Sequence, residues 1–173
     1  MAQISQIQIK YIAAEDRLLL RVSSSDDREF RFWMTRRFIK MIWPALGNAL
    51  KQSSRIQTQS SPAAKRELLA FEHHQAVSDS DFTTPYRDTP KTLPLGNAPI
   101  VLAKMQLRRK DDGSTVMSLG PERGTGIDLA LNTAVLHSLT ELISNGARIA
   151  GWDLVSLTEH NETTTKPDNV TVN

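Results

Sequence analysis

Twice along the chain, the spacing of apolar residues switches from strand-like to helix-like, each time directly after a residue that caps helices well. Phe30, Phe32 and Met34 occupy every second position before Thr35, and Ile127, Leu129 and Leu131 do the same before Asn132. Beyond both caps, apolar residues recur every three or four positions. A period of two is typical of a half-buried strand and a period near 3.6 of a helix, while Thr and Asn favour the N-cap position. The sequence therefore predicts two strand-to-helix units.

Further alternating stretches place two more strands before each predicted helix. They cover 4–12 and 17–22 in the first half, and 101–108 and 115–119 in the second. The turn Asp111-Asp112-Gly113 has the composition that tight hairpins prefer. We therefore predict an α+β fold with antiparallel sheets, helices on one face, and internal duplication of a strand-strand-strand-helix unit.

The same patterns divide the chain into four parts. We predict a first unit over 1–52, a connecting segment over 53–99, a second unit over 100–152 and a disordered acidic tail over 153–173, with the two units forming one domain. Ser61-Pro62 predicts the start of a helix over about 62–76. The prolines that follow predict an extended stretch over 78–99, which runs along the body or across a partner subunit. Pro44 predicts a kink or break in the first unit's helix.

Composition excludes several classes of protein. The chain of 173 residues has no cysteine, so neither a disulfide framework nor a thiolate site can form. No stretch approaches the roughly 18 consecutive apolar residues that indicate a membrane span. We therefore expect a cytoplasmic protein with no membrane partner.

Motifs that would identify an enzyme are not visible. The four histidines do not have the spacing of metal ligands, and we predict no metal site and no cofactor. The glycines over 120–126 lead into a strand rather than a helix, unlike a phosphate-binding loop. Asp111 and Asp112 fall in a turn that favours them for its backbone geometry. These observations favour a non-enzymatic binding protein.

Basic residues and one tryptophan alternate onto the sheet face opposite the predicted helices. Cations on such a face bind phosphates, and an aromatic ring stacks on a base for about 1–3 kcal/mol. This pattern leads to the hypothesis that the face binds single-stranded DNA or RNA. The residues assigned to it are Lys10, Arg17, Arg21, Arg31, Trp33, Lys104, Arg108 and Lys110.

Two other interpretations of this face remain open. It is equally consistent with an ordinary solvated sheet surface. Alternation also places Ile12, Leu19 and Leu102 beside Trp33 on the same side, and apolar residues grouped on a surface favour a protein contact. The alternative function is therefore a structural or adaptor protein that acts through protein contacts and self-association.

The predicted topology resembles a known class of nucleic-acid-binding proteins. An antiparallel sheet followed by a capped helix, present twice in one chain, is similar to the Whirly and Pur-alpha class. The resemblance covers roughly 100–150 residues in topology only, and those families have four strands in each unit where this sequence indicates three. It implies a fold that binds single-stranded nucleic acid, without assigning a role to any particular residue.

Overall fold

The computed structural model describes residues 3–89 and 92–157. Their regular structure consists of seven strands in two sheets, four α-helices and a short 3₁₀ helix, Ala13–Glu15. The first sheet contains β1 (Ile4–Ile12), β2 (Arg17–Ser24), β3 (Glu29–Thr35) and β4 (Ile100–Val101), and the second contains β5 (Lys104–Arg109), β6 (Thr115–Gly120) and β7 (Ile127–Leu131). The helices are α1 (Arg36–Leu50), α2 (Ser54–Gln57), α3 (Pro62–Ser78) and α4 (Thr133–Ile149).

The predicted α+β class is confirmed. Neighbouring strands are antiparallel in both sheets except for β4, which pairs in parallel with β3. Three antiparallel strands precede α1 and three precede α4, but only the first sheet has a fourth strand. Duplication of the unit therefore stays a prediction.

The predicted caps begin their helices as expected. At the start of α1, Thr35 Oγ1 accepts a hydrogen bond from Phe38 N. At the start of α4, Asn132 Oδ1 accepts one from Val135 N. At the start of α3, Ser61 Oγ accepts one from Ala64 N. Each bond satisfies one of the amide groups that a helix leaves unpaired at its start.

Pro44 does not break α1, contrary to one of the two outcomes predicted for it. The helix is continuous from Arg36 to Leu50. Pro44 lies on the exposed side of the helix, whereas Trp43 and Leu46 beside it are buried. Solvent can therefore hydrate the carbonyl that loses its hydrogen bond, while packing of the opposite side holds the helix together.

One short stretch of chain joins the two sheets. Leu102 N donates to Trp33 O in the first sheet at 2.9 Å, and the next residue, Ala103, donates to Gly120 O in the second at 3.0 Å. The change of sheet interrupts the alternation, so Leu102 is buried and Val101 is 43% exposed. The prediction that Leu102 lies on the outer face beside Trp33 is therefore wrong, because it treated 101–108 as a single alternating strand.

Helix α4 packs on the first sheet although it follows the second in sequence. A Cβ atom added at Gly146 would lie 3.0 Å from Leu18 Cδ1 and 3.2 Å from Ile9 Cγ2. Real Cβ atoms rarely come so close to their neighbours, so glycine at this position allows close approach of helix and sheet. A single hydrophobic cluster contains residues of both sheets, α1 and α4.

The connecting segment and the start of the tail both lie against the body. Glu29 N donates to Thr92 O at 2.9 Å, and residues 81–89 contain no helix. In the tail, Trp43 Nε1 donates to Val155 O at 2.6 Å and Leu157 packs against Gly47. Residues 153–157 are therefore part of the packed body, and the rest of the predicted disordered tail, 158–173, lies outside the described residues. Within the described ranges, no helix has the length and apolar character needed to span a bilayer.

Candidate nucleic-acid interface

The outer face of the first sheet is an ordered grid of side chains, because paired residues on neighbouring strands point to the same side. One row across the sheet consists of Lys10, Leu19, Trp33 and Val101. Arg17 lies in the next row towards one end of the strands, and Arg21 pairs with Arg31 in the next row towards the other. Rows two residues apart are separated by about 7 Å. Trp33 therefore lies within one row of three arginines.

Trp33 differs from the other two tryptophans of the chain. Trp43 and Trp152 are buried, and their indole N–H groups donate to Val155 O and to Asp16 Oδ1 at 3.4 Å. The Trp33 side chain is only half-buried and makes no hydrogen bond with the residues that the structure describes. Its ring is therefore accessible beside Leu19, as predicted, although it is not fully exposed.

A buried carboxylate neutralises the centre of the predicted basic face. Glu29 is 2% exposed and accepts hydrogen bonds from Arg21 Nε at 3.1 Å and Arg31 Nε at 2.5 Å. Burial alone would raise the pKa of Glu29, but the hydrogen bonds from Arg21 and Arg31 outweigh it and lower the pKa to about 2. Two of the predicted phosphate-binding residues are therefore ion-paired within the protein.

The extended connecting segment covers one of these arginines. The Tyr86 ring lies over the Arg21 guanidinium at 4.2 Å, and Asp88 Oδ1 lies 2.7 Å from Arg21 Nη2. Tyr86 also donates its hydroxyl to Glu29 Oε2 at 3.1 Å. Burial, together with the nearby Glu29 carboxylate, raises the pKa of Tyr86 to about 12, so Tyr86 stays a hydrogen-bond donor. The segment was predicted to run along the body or across a partner subunit. At Tyr86 and Asp88 it runs along the body of its own chain.

Cations away from this centre remain accessible. Lys10 and Arg108 are exposed, and their side chains make no hydrogen bond or ion pair with any residue of the described ranges. Arg17 is half-buried, and its Nη1 lies 3.9 Å from Glu15 Oε2. An ion pair this long near the surface is weak. Lys104 donates to the backbone carbonyl of Glu122 at 2.8 Å, so its charge has no acidic partner there.

The second sheet carries its predicted basic residues on the face away from the core. Lys104, Gln106 and Arg108 are exposed along β5, whereas Met105 and Leu107 between them pack against the core. Lys110 is exposed in the turn after β5. The eight predicted residues therefore fall into a neutralised pair, Arg21 and Arg31, a half-buried tryptophan, and five accessible cations.

Sequence reasoning missed a histidine pair where α3 packs on α4. His73 Nδ1 lies 3.1 Å from His137 Nδ1, and His73 Nε2 lies 3.3 Å from Glu141 Oε2. His137 is 1% exposed. The pair joins positions 64 residues apart, so no local spacing could have indicated it, although His137 falls on the apolar face of a helical pattern. The described residues contain no group of three or more His, Asp or Glu side chains able to hold a metal ion.

The buried histidine is expected to make the protein acid-labile. Burial, with a further contribution from His73, lowers the pKa of His137 from 6.5 to about 4. In the unfolded chain this residue takes up a proton below its ordinary pKa, so stability falls as the pH decreases from about 6.5 to about 4. In urea unfolding, the free energy of unfolding should be lower at pH 5 than at pH 7 by up to about 2 kcal/mol. His137→Gln should flatten this dependence and His74→Gln, an exposed neighbour, should not; equal slopes in both variants would contradict the assignment.

No family model, no curated protein and no solved structure matches this chain.

Proposed function

We propose that the protein binds single-stranded DNA or RNA on the outer face of its sheets, with Trp33 as the stacking platform. The observation that carries the proposal is the accessible Trp33 ring, which shares a row of the sheet with Lys10 and lies one row from Arg17. Base stacking on an aromatic ring needs no particular sequence, and cations along a groove or face follow the phosphates. This function does not require a catalytic group or a cofactor.

The accessible cations are assigned to the phosphates in place of the neutralised pair. Lys10, Arg17, Lys104, Arg108 and Lys110 keep their charge available, whereas Arg21 and Arg31 share the Glu29 carboxylate. The Arg21 and Arg31 side chains then shape the platform around Trp33. A bound single strand of nucleic acid would run along the row that contains Lys10 and Trp33.

Tryptophan fluorescence tests the stacking step. An oligo(dT) strand added to the protein should quench the emission, and the signal should come from Trp33, since Trp43 and Trp152 are buried. Trp33→Ala should weaken binding by about 1–3 kcal/mol, the contribution of one stacked base. Phe82→Ala is the matched control, since this ring is 44% exposed on the connecting segment, and it should leave binding unchanged. Equal affinities for the wild type and Trp33→Ala would refute the stacking role.

Salt dependence tests the cations separately. Each phosphate contact to a single strand contributes about 0.7 to the slope of log K against log salt. Arg108→Ala should therefore flatten the slope by about that amount, whereas Arg66→Ala, an exposed arginine on α3, should not. The same slope in both variants would show that the sheet face does not contact phosphates.

A protein-binding role is the second candidate, and one observation favours it. Leu19, Trp33 and Val101 form a continuous apolar row, and Val101 is 43% exposed. Apolar residues joined in this way on a surface favour a protein partner or a second copy of the chain. In that case Trp33→Ala should lower the mass of the protein in solution, and no oligonucleotide should bind. Mass and binding together therefore distinguish the two functions.

A further inference from the structure

Residues 81–89, called the strap from here on, reach the outer face of the first sheet beside the proposed nucleic-acid interface. The chain is fixed to the body on either side of the strap. Ser80 Oγ lies 2.6 Å from Ser138 Oγ on α4, and Thr92 N donates to a backbone carbonyl in the loop between β2 and β3 at 2.9 Å. Every residue of the strap except Tyr86 is exposed. The strap therefore buries little of its own surface against the sheet.

The guanidinium beneath the strap is oriented by the sheet itself. Arg21 Nε and Nη2 donate to the two carboxylate oxygens of Glu29 at 3.1 and 3.2 Å, and Nη1 donates to Gln8 Oε1 at 3.2 Å. Glu29 lies in β3 and Gln8 in β1, so both partners stay in place if the strap moves. An arginine has five N–H donors. Displacement of the strap would therefore expose a guanidinium that is already fixed in its plane and still has donors to offer.

The strap presents to Arg21 the same two chemical groups as a nucleotide. The Tyr86 ring lies over the guanidinium at 4.2 Å, and Asp88 Oδ1 lies 2.7 Å from Nη2. In complexes with single strands, bases stack on the planes of arginine guanidinium groups, and phosphate oxygens accept hydrogen bonds from their N–H groups. Tyr86 therefore lies where a base would stack, and Asp88 where a phosphate would bind.

The strap also completes the neutralisation of this part of the face. Glu29 alone supplies one negative charge to two guanidinium groups, Arg21 and Arg31, and Asp88 supplies the second. The four groups carry no net charge with the strap in place and one positive charge without it. Arg21 lies one row from Trp33, a distance of about 7 Å along the strands. It is therefore adjacent to the path proposed for a bound single strand.

We propose that Arg21 is a second nucleotide position of the face, which the strap occupies in the free protein and which single-stranded nucleic acid takes over by displacing the strap. This inference rests on the proposed function and adds a regulation to it. A base would replace Tyr86 and its phosphate would replace Asp88. Because only molecules with the strap displaced offer this position, the strap lowers the apparent affinity as an internal competitor.

The affinity of strap variants for oligo(dT) tests the competition. Tyr86→Ala should tighten binding about 2- to 30-fold, the range that corresponds to the contact of a cation with an aromatic ring. Asp88→Asn, at an exposed position, should tighten it as well. Phe82→Ala on the strap, and Asp79→Asn, which removes the same charge at the exposed end of α3, are the matched controls and should retain wild-type affinity. Unchanged or weaker binding in both Tyr86→Ala and Asp88→Asn would overturn the inference.

Hydrogen exchange at the Arg87 amide reports whether the strap moves. This amide donates to Gln6 Oε1 at 3.0 Å, and displacement of the strap would break the bond. Saturating oligo(dT) should accelerate its exchange, whereas the amide of Leu136, which donates to Asn132 O within α4 at 3.0 Å, should exchange as before. Quenching of Trp33 fluorescence without faster exchange at Arg87 would refute the displacement and leave the proposed function standing. The absence of any oligo(dT) binding would refute the proposed function and this inference with it.

Discussion

Replacing Glu29 by alanine is expected to lower the free energy of unfolding by about 3–5 kcal/mol, the usual effect of removing one partner from a buried ion pair. The carboxylate is 2% exposed and holds both Arg21 and Arg31. Without it, the Arg21 guanidinium, whose side chain is 14% exposed, would remain largely buried with Asp88 as its acidic partner. Chemical denaturation of the wild type and the variant measures the difference.

Glu15→Ala is the matched control for this prediction. Glu15 contacts Arg17 at 3.9 Å on the surface, and exposed pairs of this kind contribute at most about 1 kcal/mol. A comparable loss of stability in the two variants would show that Glu29 does not act as a buried partner.

Acid titration gives an independent signature of Glu29. Its folded pKa, about 2, lies below the ordinary value of 4.5. The stabilisation is therefore fully present above pH 4.5 and is lost as the pH falls from there towards 2. Glu29→Gln, which cannot ionise, should lack this part of the dependence. If the proposed function holds, the same variant should bind oligo(dT) more tightly, because it frees the charge of Arg31 on the binding face, whereas Arg21 stays paired with Asp88.

Truncating Leu139 to alanine is expected to cost about 2–5 kcal/mol, the range for a leucine removed from a packed interior. Leu139 is 3% exposed on the buried side of α4 and belongs to the hydrophobic cluster that includes residues of both sheets. Thermal or urea unfolding measures the loss.

Ile149→Ala on the same helix is the control for Leu139→Ala. Ile149 is 60% exposed, so its truncation should change the stability by no more than about 0.5 kcal/mol. If Leu139→Ala leaves the unfolding midpoint near that of the wild type, the packing of α4 described above is wrong.

Local patterns in the sequence predicted the elements of the fold well. Thr35 and Asn132 start their helices where the change of period indicated, because capping and alternation depend on residues close together in the chain. The helix predicted over about 62–76 is present as α3, Pro62–Ser78. Its start was also indicated by a local pattern, the pair Ser61-Pro62.

Contacts between distant residues account for what the sequence did not reveal. Leu102 is buried because the chain passes from one sheet to the other at this point, and a period of two contains no signal for such a crossing. Glu29 falls between the alternating stretches 17–22 and 30–34, yet it lies in β3 and neutralises the arginines on the same face. Its role depends on strand register, which alternation alone does not define.

The sequence predicted only those features of the candidate interface that depend on local alternation. Alternation correctly directed Lys10, Trp33 and Arg108 away from the core. It could not show that Tyr86 and Asp88, which are far away in sequence, would cover Arg21. The contact of His73 with His137 likewise depends on α3 lying against α4.

The position of α4 on the first sheet has a consequence for synthesis of the chain. Ile9 and Leu18 leave the ribosome well before Gly146, which packs directly against them. The first sheet therefore has to wait, with part of its apolar inner face uncovered, until α4 has been made. A nascent chain stalled before α4 should expose this surface to chaperones, whereas one in which α4 has also left the ribosome should not.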